Sequence, residues 1–292
     1  MNANLINSMT NNKYIADILY ADLEKHDKLL TVNSNNTVQP VALMRLGVFV
    51  PLNVNSRYRT CNLDATSELS KLEIAKSEGY DDIRITGPAL SMDTDFKVWM
   101  GVILALSKYG LSTNKITLKF TEFARMCGYD SKRLDKTRRN VIDQSLFRLR
   151  SKGVSFRRRD SSKAYHTGLL KAGGWDSNLD IVELEADEKL WELYAIDYRV
   201  LLQLHAIKAL PRKEAAQALY IFIESLPRNP APLSFERLRE RLMMTSAIGE
   251  QNRIIKSALS QLQKIGYLDY STTKKDGENF VIIHKRTPKL KP

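Results

Sequence analysis

The chain repeats a helical segment, and this internal repeat restricts its architecture more than any single motif does. Residues 139–156, RNVIDQSLFRLRSKGVSF, align without a gap with residues 252–269, NRIIKSALSQLQKIGYLD, at a constant offset of 113. Upstream, residues 120–123 match residues 235–238 at an offset of 115. The two-residue difference falls in a turn between helices, where length varies freely. Each copy is therefore predicted to be helix, turn, longer helix, glycine and strand. Two unrelated amphipathic helices ending at glycine would also align, so that alternative stays open here.

The segments around the first copy alternate between strand and helix patterns. The predicted elements are a strand in 83–87, a helix in 93–110, a strand in 115–120, a short helix in 121–128, a long helix from about Ser131 to Lys152, and strands in 153–160, 165–171 and 180–187. Short strands on three helices, with a hairpin at the end, are typical of a winged helix. The predicted fold class is α+β, mainly α, with two tandem winged-helix domains that carry small antiparallel wings.

Three further segments complete the prediction. Residues 41–51 are strand-like, and Gly173-Gly174 is expected in a turn. Residues 198–227 predict two helices, with Pro211 at the start of the second.

A length of 292 residues favours two domains, at roughly 150 residues per domain. We expect a partly disordered N-terminal tail in 1–40, a first winged-helix domain in 41–196, a second in 197–287, and a basic C-terminal tail in 288–292. The N-terminal tail contains a possible amphipathic helix, which either forms with a partner or packs on the main body.

The charge of the chain indicates a polyanionic partner. Its formal net charge is +12, so its surface attracts nucleic acid first and an anionic membrane surface second. No apolar run approaches the roughly 18 residues of a membrane span, and the N-terminus lacks a signal peptide, so a cytoplasmic protein is expected.

No pattern for a catalytic, cofactor or metal site stands out. Cys61 and Cys127 are isolated and expected to be free thiols, and no two histidines lie at i, i+4 spacing. A phosphate-binding GxxxxGK[ST] loop and the His-x-His pair of DNA-nicking enzymes are both absent. We therefore expect a binding protein rather than an enzyme, with no cofactor and no metal.

On a helical wheel, the second copy separates into two faces. The inward face carries Ile254, Ile255, Ala258, Leu259 and Leu262, whereas the outward face carries Arg253, Lys256, Ser257, Ser260 and Lys264. A helix fits the major groove, where arginine can pair with guanine and serine allows close approach. A solvated surface would explain this face on a lone helix, but the helix before it and the hairpin after it complete a helix-turn-helix with a wing. The second copy is therefore predicted to read DNA bases.

The candidate residues fall into three groups. Candidates for base reading are Asn252, Arg253, Lys256, Ser257 and Ser260. Candidates for phosphate contact are Lys264, Lys274, Lys275, Lys132, Arg133, Lys136, Arg138, Arg139, Arg157, Arg158 and Arg159. Arg148, Arg150 and Lys152 belong to the same basic flanks of the first copy.

The first copy presents a different outward face. Asn140, Asp143 and Phe147 occupy it, and a carboxylate with an exposed ring is a poor neighbour for phosphate. This helix is therefore expected not to read bases. Phe147 is a candidate for a protein contact, unless the N-terminal segment covers it.

Long stretches of the chain resemble one family of proteins. These stretches are residues 35–51, 85–103, 200–210, 215–232 and 265–270. They closely resemble IncFIB-type plasmid replication initiators, within the larger family of iteron-binding initiators with two winged-helix domains. The resemblance extends from about residue 35 to the C-terminus.

The resemblance implies a protein that binds direct repeats, called iterons, in double-stranded plasmid origin DNA. Such initiators open an adjacent AT-rich segment, recruit the host initiator and replicative helicase, and usually repress their own promoter. They exist as dimers in balance with monomers. Their second winged helix makes the main major-groove contacts, which maps onto Gln251 to Lys264, while the first adds DNA contacts or a dimer interface. A dedicated winged-helix repressor without a replication role, or a partition scaffold, would have the same sequence features.

Overall fold

The structure, a computed structural model, describes residues 36–52, 60–109, 114–130, 134–176, 178–193 and 199–287. Its helices are α1 (Val41–Arg45), α2 (Thr66–Leu69), α3 (Glu73–Glu78), α4 (Asp95–Tyr109), α5 (Phe120–Met126), α6 (Lys136–Ser151), α7 (Glu188–Trp191), α8 (Leu204–Lys208), α9 (Glu214–Glu224), α10 (Phe235–Arg241) and α11 (Ile248–Lys264). Its strands are β1 (Asn36–Pro40), β2 (Phe49–Val50), β3 (Thr60–Asp64), β4 (Asp82–Pro88), β5 (Leu90–Ser91), β6 (Lys115–Lys119), β7 (Gly153–Arg157), β8 (Ala164–Gly168), β9 (Ala172–Asp176), β10 (Ile181–Glu185), β11 (Arg199–Gln203), β12 (Leu233–Ser234), β13 (Leu268–Lys275) and β14 (Glu278–Arg286).

Two units of this structure share one topology. The first unit contains α4, β6, α5, α6, β9 and β10, and its antiparallel sheet has the strand order β6-β10-β9. The second unit contains α9, β12, α10, α11, β13 and β14, with the order β12-β14-β13. Each unit is a winged helix: three helices, a short strand between the first two, and a hairpin that forms the wing. The predicted fold class is confirmed.

The two units diverge at the glycine that follows the longer helix. Gly266 has a φ of 76°, a left-handed conformation that ends α11, and Tyr267 N donates to Leu262 O at 3.1 Å. Gly153 instead continues directly into β7, which pairs with β4 and β8 in a separate four-stranded sheet. The predicted equivalence of the two strands after the glycines is therefore wrong, although the helices are equivalent.

One strand of the first wing, β9, was not predicted, whereas its partner β10 lies within the strand predicted in 180–187. Gly173 and Gly174 lie in β9, where a turn was expected, and they pair with Leu184 and Glu183 of β10. A Cβ at Gly173 would approach Leu170 Cδ2 to 2.8 Å, so a larger residue there would require the Leu170 side chain to move.

Two other segments also differ from the sequence prediction. The strand predicted in 41–51 begins with helix α1, and only Phe49–Val50 is a strand. The first helix predicted in 198–227 begins with strand β11, which pairs antiparallel with β1. Strand β1 contains the last five residues of the predicted tail, and no local pattern announces a partner that lies about 160 positions away in the chain.

Residues 36–52 connect the two units. Strand β2 pairs in parallel with β5, which directly precedes α4 of the first unit. Arg241, the last residue of α10, donates to Met44 O at 2.9 Å and to Phe49 O at 3.2 Å. Burial lowers the pKa of Arg241 to about 9, and these carbonyl oxygens replace the water that its guanidinium has lost. One continuous cluster of buried apolar side chains extends through both units.

Both cysteines, Cys61 and Cys127, are buried free thiols. Within the described residues, no helix has the length and apolar character to cross a membrane.

Candidate nucleic-acid interface

The longer helix of the second unit, α11, has one buried face and one exposed face. Gln251, Ile255, Ala258, Leu259 and Leu262 are buried, as the wheel predicted for the aliphatic members of this set. Ile254, which was assigned to the inward face, is only half-buried. The buried face packs on α9 and α10, so the opposite side of α11 is directed to solvent.

Arg253 lies on the exposed face and has a partner on its own helix. Its side chain is 73% exposed, and its guanidinium donates two hydrogen bonds to Glu250, at 2.7 and 2.6 Å. This pairing lowers the pKa of Glu250 and raises that of Arg253. Because an exposed ion pair contributes little to stability, a DNA base or phosphate can replace the glutamate at little cost.

The other outward residues of α11 surround Arg253. Lys256 and Lys264 are exposed, and Ser260 is half-buried. Ser257 is exposed, and its hydroxyl accepts a hydrogen bond from Gln261 Nε2 at 3.1 Å. The exposed side of α11 therefore combines cations with short side chains.

Asn252 is turned away from this exposed face. Its side-chain oxygen accepts a hydrogen bond from Arg239 of α10 at 2.8 Å, and Arg239 also pairs with Glu278 of the wing at 3.5 Å. Asn252 thus takes part in a side-chain network that connects α11, α10 and the wing.

The wing of the second unit adds two exposed cations. Lys274 and Lys275 lie at the end of β13, directly before the two-residue turn Asp276-Gly277. Both turn residues have positive φ, 50° and 82°, as a tight hairpin requires. The tip of the wing therefore carries two cations next to one carboxylate, Asp276.

Two cations that the sequence analysis did not single out lie beside α11. Arg212 and Lys213, at the start of α9, line a cavity of about 220 Å³ together with Arg253 and Ser257. The basic pair Arg212-Lys213 was visible in the sequence, but only the packing of α9 on α11 brings it to this face.

The longer helix of the first unit, α6, presents another surface. Asn140 is exposed, Asp143 is half-buried and Phe147 is 66% exposed. The N-terminal segment that was expected to cover Phe147 lies outside the described residues. Leu179, in the turn of the first wing, is 68% exposed.

The basic residues at the start of α6 have different environments. Lys136 is exposed, and Arg138 lies over the ring of Tyr129 at 5.0 Å. Arg139 pairs with Asp180 of the first wing at 2.7 Å and also lies over the Phe120 ring. Lys132 and Arg133 lie outside the described residues.

The three arginines 157–159 lie at the β7–β8 hairpin, outside the wing of the first unit. Arg157 Nε donates to Ser155 Oγ at 3.1 Å, and Arg158 Nε donates to Glu78 O at 2.7 Å. Arg159 is 77% exposed and lies 3.8 Å from Asp81. Of the three, Arg157 and Arg159 are exposed.

Two basic residues of the first copy are structural, in contrast to the prediction that they bind phosphate. Arg148 donates at 2.7 Å to Asp95, a carboxylate that is 1% exposed. Lys152 is completely buried, where Nζ donates to Cys61 Sγ and to Pro88 O. Burial lowers the pKa of Lys152. Sequence alone counted these side chains as surface charge, because their partners come from distant segments.

The comparisons with known proteins agree with this architecture. Residues 65–224 match the family model described as "Initiator Replication protein, WH1". Domains 2 and 3 of RctB, a solved structure, superpose with a TM-score of 0.50 at 12% identity, covering 85% of this chain and 98% of that chain. That likeness concerns the fold alone.

Curated relatives are similar over most of the chain. A "Replication protein RepA" from Escherichia coli is 65% identical over 282 residues, which is 96% of this chain and 99% of the relative. A "RepFIB replication protein A" from Escherichia coli is 48% identical over 268 residues, or 90% of this chain and 82% of the relative. The resemblance noted in the sequence is confirmed, and the chain belongs to the initiator replication protein family.

Proposed function

We propose that this initiator binds iterons of a plasmid origin by inserting α11 into the major groove. The observation that supports this most is the exposed face of α11, where Arg253, Lys256 and Lys264 lie together with Ser257 and Ser260. Within the described part of α11, the single carboxylate is Glu250, and it is held by Arg253. An α-helix fits the major groove, and an arginine that exchanges Glu250 for guanine reads a base.

Phosphate contacts would hold the helix in register. Lys264 at the end of α11, Lys274 and Lys275 on the wing, and Arg212 and Lys213 beside α9 surround the reading face on several sides. The start of α11 adds unpaired amide groups, since among the described residues no side chain caps it. In this proposal Asn252 positions α11 through Arg239 and does not read a base.

The first unit is proposed to support this binding without reading sequence. Lys136, Arg138, Arg157 and Arg159 are exposed and are described candidates for further phosphate contacts. Phe147 and Leu179 form exposed apolar surface on the same unit, and we propose that it serves self-association, with dimers in balance with monomers. The boundaries 41–196 and 197–287 stay our proposal for the two domains, with residues 36–52 connecting them.

After binding, the protein is proposed to open an adjacent AT-rich segment, recruit the host initiator and replicative helicase, and repress its own promoter. These steps need binding rather than catalysis. On supercoiled origin DNA, the protein should therefore yield no nicked or covalently attached product.

A footprint on the plasmid's own origin tests the proposal. Protection should recur at regular direct repeats, on the major-groove side of each, and should persist at salt concentrations that remove non-specific binding. A scrambled origin of equal composition is the matched control. Equal protection of both DNAs would contradict sequence-specific binding, and protection of one inverted repeat alone would indicate a dedicated repressor.

A further inference from the structure

A second cavity, of about 520 Å³, lies between the two units. Helices α4 and α5 of the first unit form one side, and α8, the following loop and α9 form the other. Sites for small molecules usually occupy about 300–1,000 Å³ and favour boundaries between domains. Its apolar wall includes Met100, Leu104 and Ile207.

One polar group in the lining has an unused hydrogen-bonding atom. Gln217 is 3% exposed, and its Nε2 donates to Ile207 O at 3.2 Å and to Leu210 O at 2.9 Å. These two carbonyl oxygens fix the orientation of the amide, because a rotated amide would point its own oxygen at them. Gln217 Oε1 is buried without a hydrogen-bond partner in the described structure. A buried acceptor of this kind favours a ligand that brings an N–H or O–H donor.

The lining also carries an excess of positive charge. Lys97, Arg125, Lys208 and Arg212 contribute cations, while the described lining residues include one carboxylate, Asp93. Lys97 pairs with Asp93 at 2.9 Å. The remaining three cations are available to an anion.

We propose that this cavity binds a nucleotide whose base carries an exocyclic amino group. The amino group would donate to Gln217 Oε1, the flat ring would lie against the apolar wall, and the phosphates would meet the cations. Inorganic phosphate would leave both the apolar wall and the Gln217 oxygen unused. A fatty acid would bring no donor at its apolar end. Binding alone is proposed, with no hydrolysis.

The cavity is connected to the DNA-reading face through one residue. Arg212 lines this cavity and also the smaller cavity beside Arg253 and Ser257. Its φ of 58° holds the loop before α9 in a conformation that few non-glycine residues adopt. A bound nucleotide would attract Arg212 and so change the charge beside α11. This consequence rests on the proposed function, whereas nucleotide binding itself does not.

Equilibrium dialysis of the full chain with radiolabelled ATP, in the absence of DNA, tests the site. Saturable binding is expected, with adenosine and inorganic triphosphate each competing at least about tenfold less well than ATP, since each lacks part of the recognition. If triphosphate competes as well as ATP, or if binding does not saturate, the proposal is wrong and ATP is merely attracted to exposed cations.

Substitutions in the lining test whether ATP binds in this cavity. Arg125→Glu combined with Lys208→Glu should weaken ATP binding at least about tenfold, and Leu104→Trp should do the same by filling the cavity. Lys119→Glu changes an exposed cation outside the lining and should stay within about twofold of the natural chain. Circular dichroism confirms folding of each variant. Unchanged ATP affinity in folded Leu104→Trp and in the double variant would overturn the proposal.

Origin DNA affinity, measured with and without saturating ATP, tests the connection through Arg212. A shift of at least about threefold is expected, and Arg212→Ala should abolish it. If ATP binds but the origin DNA affinity does not change, the connection through Arg212 is refuted and the nucleotide site is not. Loss of all specific origin binding would instead refute the proposed function.

Discussion

Helices α6 and α11 are built on one plan and differ on the surface that they expose. At the offset of 113, the buried pairs are Ile142 with Ile255, Ser145 with Ala258, Leu146 with Leu259 and Leu149 with Leu262. The outward pairs are Asn140 with Arg253, Asp143 with Lys256, and Phe147 with Ser260. Packing against neighbouring helices restricts which residues can occupy the buried positions, whereas the outward positions are not restricted in this way. The repeated architecture thus leaves each exposed face available for its own partner.

The N-terminal ends of the two helices also differ in how well they could bind a phosphate. Asp135 caps α6 by accepting a hydrogen bond from Arg138 N at 2.7 Å, which places a carboxylate where a phosphate would bind. Helix α11 has no side-chain cap among the described residues. The two wings differ likewise. Residues 172–185 of the first wing carry Asp176, Asp180, Glu183 and Glu185 and no lysine or arginine, whereas the second wing carries Lys274 and Lys275 near its tip, next to Asp276 and Glu278.

The largest expected difference concerns stability at a matched pair of positions. Arg148→Ala in α6 should lower the free energy of unfolding by about 3–5 kcal/mol, because Asp95 would be left buried without its ion-pair partner. Gln261→Ala, at the equivalent position of α11, should change it by less than about 0.5 kcal/mol. Urea denaturation of both variants measures this. Equal losses would mean that the Arg148 pair is no more important than a surface contact.

The second prediction exchanges the outward charges of the two helices. Lys256→Asp should lower specific origin affinity by about two orders of magnitude or more, because a carboxylate brought against DNA is repelled by several kcal/mol. Asp143→Lys should leave specificity unchanged. Filter binding at fixed salt, with origin and scrambled DNA, measures both. A comparable loss of specificity from Asp143→Lys would show that α6 also reads sequence.

The third prediction separates base reading from phosphate contact. Arg253→Ala should cost about 1–3 kcal/mol of specific binding and relax the preference at one base step. Lys275→Ala should instead weaken all sequences alike and lower the salt slope by about one. Binding to a set of single-base iteron variants, measured over a range of salt, provides both values. Indistinguishable profiles for the two variants would refute the base-reading role of α11.

The smallest expected effect concerns how stability depends on pH. Glu224 in the second unit and Glu122 in the first unit should contribute to it with opposite signs. Burial raises the pKa of Glu224, which accepts from Tyr267 Oη at 2.5 Å, so the folded state holds this proton more tightly than the unfolded state. Its stabilising contribution is present below the unfolded pKa and is lost as pH rises through the folded pKa. Hydrogen bonds from Tyr109 and Lys108 lower the pKa of Glu122, so its contribution is lost as pH falls through the folded pKa.

Melting temperatures of Glu224→Gln and Glu122→Gln between pH 4 and 8 should show this contrast. Relative to the natural chain, Glu224→Gln should gain stability as pH rises, and Glu122→Gln should lose it. Shifts in the same direction for both variants would show that burial of Glu224 does not govern its ionisation.

Local pattern determined the helices of both units, the inward residues of α11 and the presence of a wing after it. Those features depend on the spacing of apolar residues and on glycine, which any segment carries within itself. The same reasoning identified the exposed cations of α11 correctly, because a helix that buries one face must expose the other.

Only the tertiary structure decided which charges are free. Arg139, Arg148 and Lys152 look in the sequence like surface cations, yet Asp180, Asp95 and Cys61 hold them, and each partner is at least 41 positions away in the chain. Three other features also depend on contacts between distant segments. They are the pairing of β1 with β11, the insertion of β7 and β8 before the first wing, and the cavity that Arg212 and Arg253 line together. Periodicity reports which side of an element is buried, because neighbours along the chain share that element. It cannot report what the buried or charged side meets, because contacts between distant segments form only when the whole chain packs.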